Sequence, residues 1–324
     1  MGARTFLACA AADAARWGLS RVLHRGGGNA PGAIALKLDP SIIADLAADL
    51  DGSIVVTGTN GKTTTNGLIA DGLAAAGYDV VCNRAGNNMQ TGIAAAMVAE
   101  RRGAIGKKGR FGAFECDELY TVRVLPQVKP RALVLLNLFR DQLDRYGEVT
   151  HTLEKLRIGA KNSPNAVLCL NADDSLITSL HDDVPNPVLF YGVSTPIYAG
   201  HVTEVSDAPY CIKCKSEYQY DFVTYGHLGG YRCPRCGYAR PKPDICVCKV
   251  VLSDEEHSEV VFRDGETEIP ATVNLPGGYN IYNACACMAA ALPAPFRPLF
   301  RPIVWKLTTP PSKRCSGRGA AIAS

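Results

Sequence analysis

The run SIVVTGTNGKTTT, Ser53 to Thr65, constrains this chain more than any other stretch. Ile54–Val55–Val56 is wholly apolar, as a strand buried on both faces requires. Gly58–Thr59–Asn60–Gly61 follows as a turn, and Lys62 and Thr63 open a helix predicted to run through Ala76. This order leaves backbone N–H groups pointing outward at a helix N-terminus, where unpaired donors and the helix dipole both favour a phosphate. Thr57 to Thr64 then form the nucleotide cradle, with Lys62 reaching the outer phosphates and the Thr63 hydroxyl taking Mg²⁺. The general P-loop places four residues between its first Gly and the Gly-Lys pair. Here Gly58 and Gly61 bracket only two, Thr59 and Asn60. A Gly-rich turn that merely starts a helix would leave the Lys-Thr pair and the preceding apolar strand unexplained.

The rest of the chain alternates in the same way. Thr5–His24 reads as a helix ended by Gly26–Gly27–Gly28, and Asn29–Asp39 as a loop punctuated by Pro31. Ser41 is placed as the N-cap of a helix reaching Leu50. Strands are expected at 80–83, 111–115, 132–138, 166–170 and 188–191, and helices at 91–102 and 151–162. Strands alternating with helices at this spacing predict an α/β fold with a parallel-rich sheet covered on both faces. Sites then belong at the carboxyl ends of the strands, where Thr57–Thr63, Glu115 and Asn171 fall. The alternation breaks near residue 205. Three strand-like runs follow between Val247 and Thr272, then a Gly turn and a small-residue helix within Asn274–Ala291.

Between the two halves lie Cys211-x₂-Cys214 and Cys233-x₂-Cys236, separated by 18 residues. Two such pairs close a tetrahedral Zn²⁺ site with no open position, which makes the site structural. A redox dithiol would need only one pair. The aromatics Tyr210, Tyr218, Tyr220, Phe222 and Tyr225 read most simply as the small core of this ribbon. Cys246 and Cys248 are taken as strand residues, and Cys9, Cys82, Cys116, Cys169, Cys285, Cys287 and Cys315 as buried or incidental thiols. With 13 Cys, an odd number, and no export signal, a disulfide framework is not expected.

A net charge of +3 is too small to argue for nucleic acid, and no apolar run is long enough to span a bilayer. Three segments are expected: 1–52 helical; 53–291 an ATP-binding central domain with the ribbon inserted at 205–245; and 292–324 an atypical tail. The tail carries Pro293, Pro295, Pro298, Pro302, Pro310 and Pro311 among Arg and Lys, and is expected to be disordered.

The phosphate loop, the acidic strand end at Glu115, LFRDQLDRYGE, LNADD, the Cys₄ insert and PGGYNIYNACA occur in that order. In this combination the chain, over roughly residues 5–290, resembles a family within the Mur ligases, the MurT subunits of lipid II isoglutaminyl synthase. The phosphate loop and NADD alone resemble Mur ligases at large; LFRDQLDRYGE with the ribbon narrows the likeness. The resemblance implies a P-loop Mur-ligase-type domain using ATP, Mg²⁺ and Zn²⁺. It implies phosphorylation of the α-carboxylate of D-glutamate in lipid II, with ammonia from a GatD-type glutaminase partner attacking the acyl phosphate to give D-isoglutamine. It places the work in the cytoplasm, at the inner face of the membrane. It also assigns Glu115 as a metal ligand beside Lys62, and Asn280 and Asn283 to the nucleotide base and ribose. Arg140 and Asp141 would lie near nucleotide or metal, Asn83–Thr91 would face the glycan-peptide, and Lys155 lies near a position that is carbamylated in many Mur ligases. An ordinary surface lysine accounts for Lys155 more simply, whereas for Glu115 the metal role is preferred to a solvated acid; helix-start caps are the alternative for the two asparagines.

The family carries a third, C-terminal domain after the YNACA helix, and the tail from about Leu292 stands in its place. A frameshifted or truncated end is the expectation, and it leaves open whether the chain ligates or only binds ATP and zinc. Two other readings stay open: a folylpolyglutamate-type or other amino-acid-adding ligase, against which the Cys₄ insert counts, and a non-catalytic ATP- and zinc-binding protein.

Overall fold

The computed structural model describes residues 2–22, 28–84, 86–139, 148–197 and 208–293. Three helices come first, α1 (Ala3–Val22), α2 (Ala30–Leu38) and α3 (Ile42–Ala47). An alternating stretch follows: β1 (Gly52–Thr57), α4 (Lys62–Ala75), β2 (Asp79–Cys82), α5 (Gln90–Ala99), β3 (Arg110–Glu115), α6 (Thr121–Val128) and β4 (Ala132–Leu135). It continues through α7 (Glu148–Lys161), β5 (Val167–Asn171), the single turn α8 (Ser175–Thr178) and β6 (Val188–Val193). A hairpin, β7 (Gln219–Tyr225) and β8 (Leu228–Arg232), precedes the meander β9 (Ile245–Ser253), β10 (Ser258–Asp264) and β11 (Thr267–Val273). Helix α9 (Tyr279–Ala290) comes last among the described residues.

Nine strands form one sheet in the order β11-β10-β9-β6-β5-β4-β1-β3-β2. From β2 to β9 every pairing is parallel; β10 and β11 turn back antiparallel. The apolar run of β1 explains the layering. Ile54 and Val56 face one cluster, built with α4 and α9, and Val55 faces the other, built with α1–α3 and α5–α7. Successive side chains of a strand point to opposite faces, so a strand between two helical layers must be apolar throughout. Helix α9 is buried from Ile281 to Ala290 apart from slight exposure at Tyr282 and Asn283. Its small residues, Ala284 to Ala290, let it lie close to the sheet.

Most expected elements are present, with shifted ends. The exceptions have physical reasons. Asn29–Asp39, expected as a loop, contains α2. Pro31 sits in its first turn, where the missing N–H is no loss. Ser41 precedes α3 as expected but makes no side-chain cap; the Asp39 carboxylate instead accepts from Ser41 N (3.1 Å) and Oγ (2.7 Å). Helix α6, with Pro126 inside it, was not among the expected helices. The strands after the ribbon fall within the same sheet: β9 pairs parallel with β6 and returns the chain to it. The thiols of Cys9, Cys82, Cys116, Cys169, Cys285 and Cys287 are buried as expected, and burial pushes Cys82 and Cys169 up to about 12. Arg140, Asp141, the Cys315 thiol and all but the first two residues of the 292–324 tail lie outside the described residues.

Asp173, in NADD, joins three parts of the fold. Its Oδ2 accepts from Val193 N of β6 (2.8 Å) and from the Tyr282 hydroxyl of α9 (2.7 Å). Its Oδ1 accepts from Arg240 Nε (2.5 Å), just past the ribbon. The carboxylate has no solvent exposure; burial pushes its pKa up, and the Arg240 charge pulls it back. Breaking a buried pair by deleting one partner leaves an uncompensated charge and costs about 3–5 kcal/mol. Asp173→Ala is therefore expected to lower the unfolding free energy by about 3 kcal/mol or more in urea titrations. A change under about 1 kcal/mol would show that Asp173 does not carry this junction.

Candidate functional site

The carboxyl ends of β1, β3 and β4 meet at the phosphate loop. Gly58 and Gly61 have φ of +127° and +89°, a left-handed region open to glycine. Close approach adds to the requirement, since a Cβ on Gly61 would lie 2.1 Å from Asn283 Oδ1. Asn137, just beyond β4, grips the loop. Its Oδ1 accepts from Asn60 N (2.9 Å), its Nδ2 donates to Asn60 O (3.1 Å), and its backbone carbonyl accepts from Thr59 N (2.8 Å). Phe139 N donates to Thr59 Oγ1 (3.1 Å). The amides of Thr59 and Asn60 are thus engaged within the protein. Those of Lys62, Thr63 and Thr64 precede the first bond of α4, from Thr65 N to Gly61 O (2.9 Å), and belong to the orphan donors of a helix start. Thr57 lies under the loop with no solvent exposure, so it supports the cradle from below.

Lys62 folds over the loop, donating to Gly58 O and Thr59 O, with Glu118 Oε1 at 3.5 Å. Beside it, Thr63 Oγ1 donates to Glu115 Oε2 (2.8 Å). Glu115 is only 3% exposed. Burial pushes its carboxyl above the usual range, against the Thr63 hydrogen bond and the Lys62 charge. Asn83 fixes the end of β3, accepting from Glu115 N (2.9 Å) and donating to Glu115 O (2.7 Å). A hydroxyl and a desolvated carboxylate side by side, next to a phosphate cradle, suit a hard divalent cation.

On the other side of the loop a cavity of about 310 Å³ opens between α9 and the hairpin tip, lined by Asn60, Gly61, Thr64, Asn137, Tyr225 and Asn283 among others. Asn283 reaches it; Asn280 stands behind, its Oδ1 accepting from Asn283 Nδ2 (2.8 Å) while its own Nδ2 donates to Pro276 O (2.6 Å). The two asparagines are therefore brought together, with different exposure to a ligand. Lys155 is half-buried on α7.

The four cysteines converge. Their sulfurs lie within 4.8 Å of one another, with Cys211–Cys236 at 3.6 Å and Cys214–Cys233 at 3.4 Å. Sulfurs about 2.3 Å from a shared Zn²⁺ in a tetrahedron stand somewhat under 4 Å apart, so the set fits the ion. Backbone and side-chain hydrogen bonds from Ser216 pull the Cys214 thiol down to about 6. The expected aromatic core is only partly as expected. Tyr218 is buried beside Tyr231 and Tyr238, while Tyr210 and Tyr225 are exposed. Tyr225 instead lines the cavity beside Asn60 and Gly61. The hairpin docks on NADD and α9: Tyr231 and Tyr238 hydroxyls meet Thr178 Oγ1 at 2.5 and 2.7 Å, and Thr224 pairs with the Tyr282 hydroxyl.

Sequence reasoning did not select Asn137 or Glu118; it took Asn83 only as the start of a substrate-facing segment and Tyr225 as ribbon core. Asn137 and Asn83 carry a signal after the fact: each is a polar residue within two positions of the end of an apolar strand of a parallel sheet, the place where sites gather.

The Mur ligase middle domain family matches residues 56–231. The chain is 33% identical over 294 residues to the MurT subunit of lipid II isoglutaminyl synthase (glutamine-hydrolyzing) of Streptococcus pneumoniae, covering 90% of this chain and 63% of that one. With the Staphylococcus aureus MurT subunit it shares 31% over 267 residues, covering 82% and 58%. The chain thus spans about three-fifths of the length of these relatives. Among solved structures, a pseudomurein peptide ligase type C from Methanothermus fervidus superposes with a TM-score of 0.65 at 22% identity, over 86% of this chain and 55% of that one, a likeness of fold.

The contact between Gly61 and Asn283 generates a coupled prediction. Gly61→Ala is expected to destabilise the protein by about 2 kcal/mol through backbone strain and the clash. Asn283→Ala in the same chain should recover part of that loss, because it removes the clashing oxygen. Thermal melts of the two single variants and the double variant measure the coupling; additive losses would show that the two residues do not meet.

Proposed function

The chain belongs to the Mur ligase family, and on that premise we propose that it is the ATP-binding part of a carbon–nitrogen ligase that amidates the D-glutamate α-carboxylate of lipid II. The observation that carries the reading is the cradle at Gly61–Thr64, with Lys62 above it and the Thr63–Glu115 pair beside it. The 33% likeness to a MurT subunit narrows the substrate to a peptidoglycan precursor.

A carboxylate is a poor electrophile because its leaving group would be oxide. Transfer of the γ-phosphoryl group makes that oxygen a phosphate leaving group, and ammonia then displaces it from the acyl phosphate. Such a transfer is mostly positioning and charge neutralisation. The first-turn amides of α4 hold the phosphates. Lys62 leaves its resting contacts with Gly58 O and Thr59 O to meet the β- and γ-phosphates. Thr63 and Glu115 would hold Mg²⁺, which would supply positive charge to neutralise the phosphates. Asn283, steadied by Asn280, faces the nucleoside. The four cysteines hold Zn²⁺ in a closed, structural set.

The reading assigns ammonia supply to a GatD-type glutaminase subunit, in keeping with the glutamine-hydrolyzing synthase to which the similar MurT subunits belong. The substrate is lipid-linked, and none of the described helices is long and apolar enough to cross a membrane. The reading therefore places the chain in the cytoplasm, working at the inner face of the membrane.

The test combines this chain with a GatD-type glutaminase, glutamine, lipid II and Mg·ATP, and follows D-isoglutamine formation by mass spectrometry. Amidation that requires ATP is the expected result. Lys62→Ala is expected to lower kcat/KM by about 100-fold or more, the scale of losing one aimed charge in a dry site. Nucleotide binding without amidation would overturn the ligase reading in favour of a non-catalytic binding protein.

A further inference from the structure

Resting on the nucleotide reading above, we propose that the cysteine cluster sets the affinity of the phosphate-loop site: metal held by Cys211, Cys214, Cys233 and Cys236 fixes a hairpin whose tip, through Tyr225, walls the nucleoside cavity. The topology carries the link. The knuckle Cys211–Cys214 leads into β7, and Cys233 follows directly on the last residue of β8. The metal therefore closes the open end of the hairpin. Its closed end, the two-residue turn Gly226–His227 between the paired Tyr225 and Leu228, lies at the cavity, about 13 Å of strand away.

A two-stranded hairpin is marginal alone in water, and this one has two breaks in its register, on either side of Val223. Its tip stays in place only through what grips it. On the cavity side, the Tyr225 ring meets Phe139 edge-on at 5.6 Å, and the His227 ring meets it at 4.8 Å. Phe139 N in turn donates to Thr59 Oγ1 of the phosphate loop. The tip thus touches the ligand site twice, as a wall and as a buttress of the loop. Tyr225 is 42% exposed, a large aromatic face left open beside Asn60 and Gly61, where a planar base has room to stack.

Coupling between two sites is reciprocal in binding. Metal at the cysteines should tighten nucleotide binding, and nucleotide should tighten the metal by the same factor. The experiment uses the zinc-loaded chain and a fluorescent ATP analogue with Mg²⁺. Zinc removal by chelation should weaken nucleotide binding at least about fivefold, the lower edge of usual site-to-site coupling. Tyr225→Ala, with zinc retained, should weaken it comparably. Because zinc-free protein can lose its fold, the reciprocal arm works on the holoprotein: the rate of zinc transfer to a colorimetric chelator, with and without saturating Mg·ATP. Saturating nucleotide should slow the transfer at least about fivefold in the parent, and much less in Tyr225→Ala. If the zinc-loaded parent does not bind nucleotide, the function reading itself falls. If it binds, but Tyr225→Ala binds equally well and nucleotide leaves zinc transfer unchanged, the coupling alone is overturned.

Discussion

The grip of Asn137 on Asn60 is the contact on which the site depends. It exists because β1 and β4 are parallel neighbours, with Thr57 level with Leu135, so that the residues just past each strand end lie side by side. One side chain then satisfies both the N–H and the C=O of Asn60, and its backbone takes the Thr59 amide. With those groups satisfied inside the protein, the outward donors are those at the start of α4. The loop is two residues shorter than a general P-loop, and this neighbouring strand supplies the restraint that a longer loop would provide for itself.

The same logic extends outward. The end of β3 brings Glu115 against Thr63, and Asn83 after β2 locks Glu115 at both its amide and its carbonyl. The end of β5 carries NADD. There Asp173 ties β6, α9 and Arg240 together, and Asp174 caps α8 while accepting from Leu138 N. The ribbon is consequently a lateral extension of the nucleotide domain, docked through hydroxyls and a buried ion pair. Buried polar groups demand partners, so this junction is specific in a way that an apolar contact is not.

Much of this was legible in the residues. The apolar continuity of Ile54–Val56 foretold a strand covered on both sides, and the Gly-Lys-Thr order foretold a tight turn opening a helix. The Cys spacing foretold four converging sulfurs. What escaped was set by tertiary context. Pro31 read as loop punctuation, yet it falls in a first helical turn, and Pro126 is tolerated within α6. Asn137 looks like any polar residue until the strand order puts it beside Asn60. Tyr225 looked like ribbon core because the sequence shows that the ribbon has aromatics, not which of its ends touches another site. The complementary pair, Tyr231 and Tyr238, forms that core across from Tyr218.

The central claim is that a triphosphate lies on the backbone amides at the head of α4. Amide hydrogen exchange over residues 58–64 of the zinc-loaded protein, with and without saturating Mg·ATP, tests it most directly. The account predicts that exchange of the Gly61–Thr64 amides slows markedly when nucleotide is present. Unchanged exchange there, in protein shown by calorimetry to be saturated with Mg·ATP, would place the nucleotide elsewhere and contradict the account.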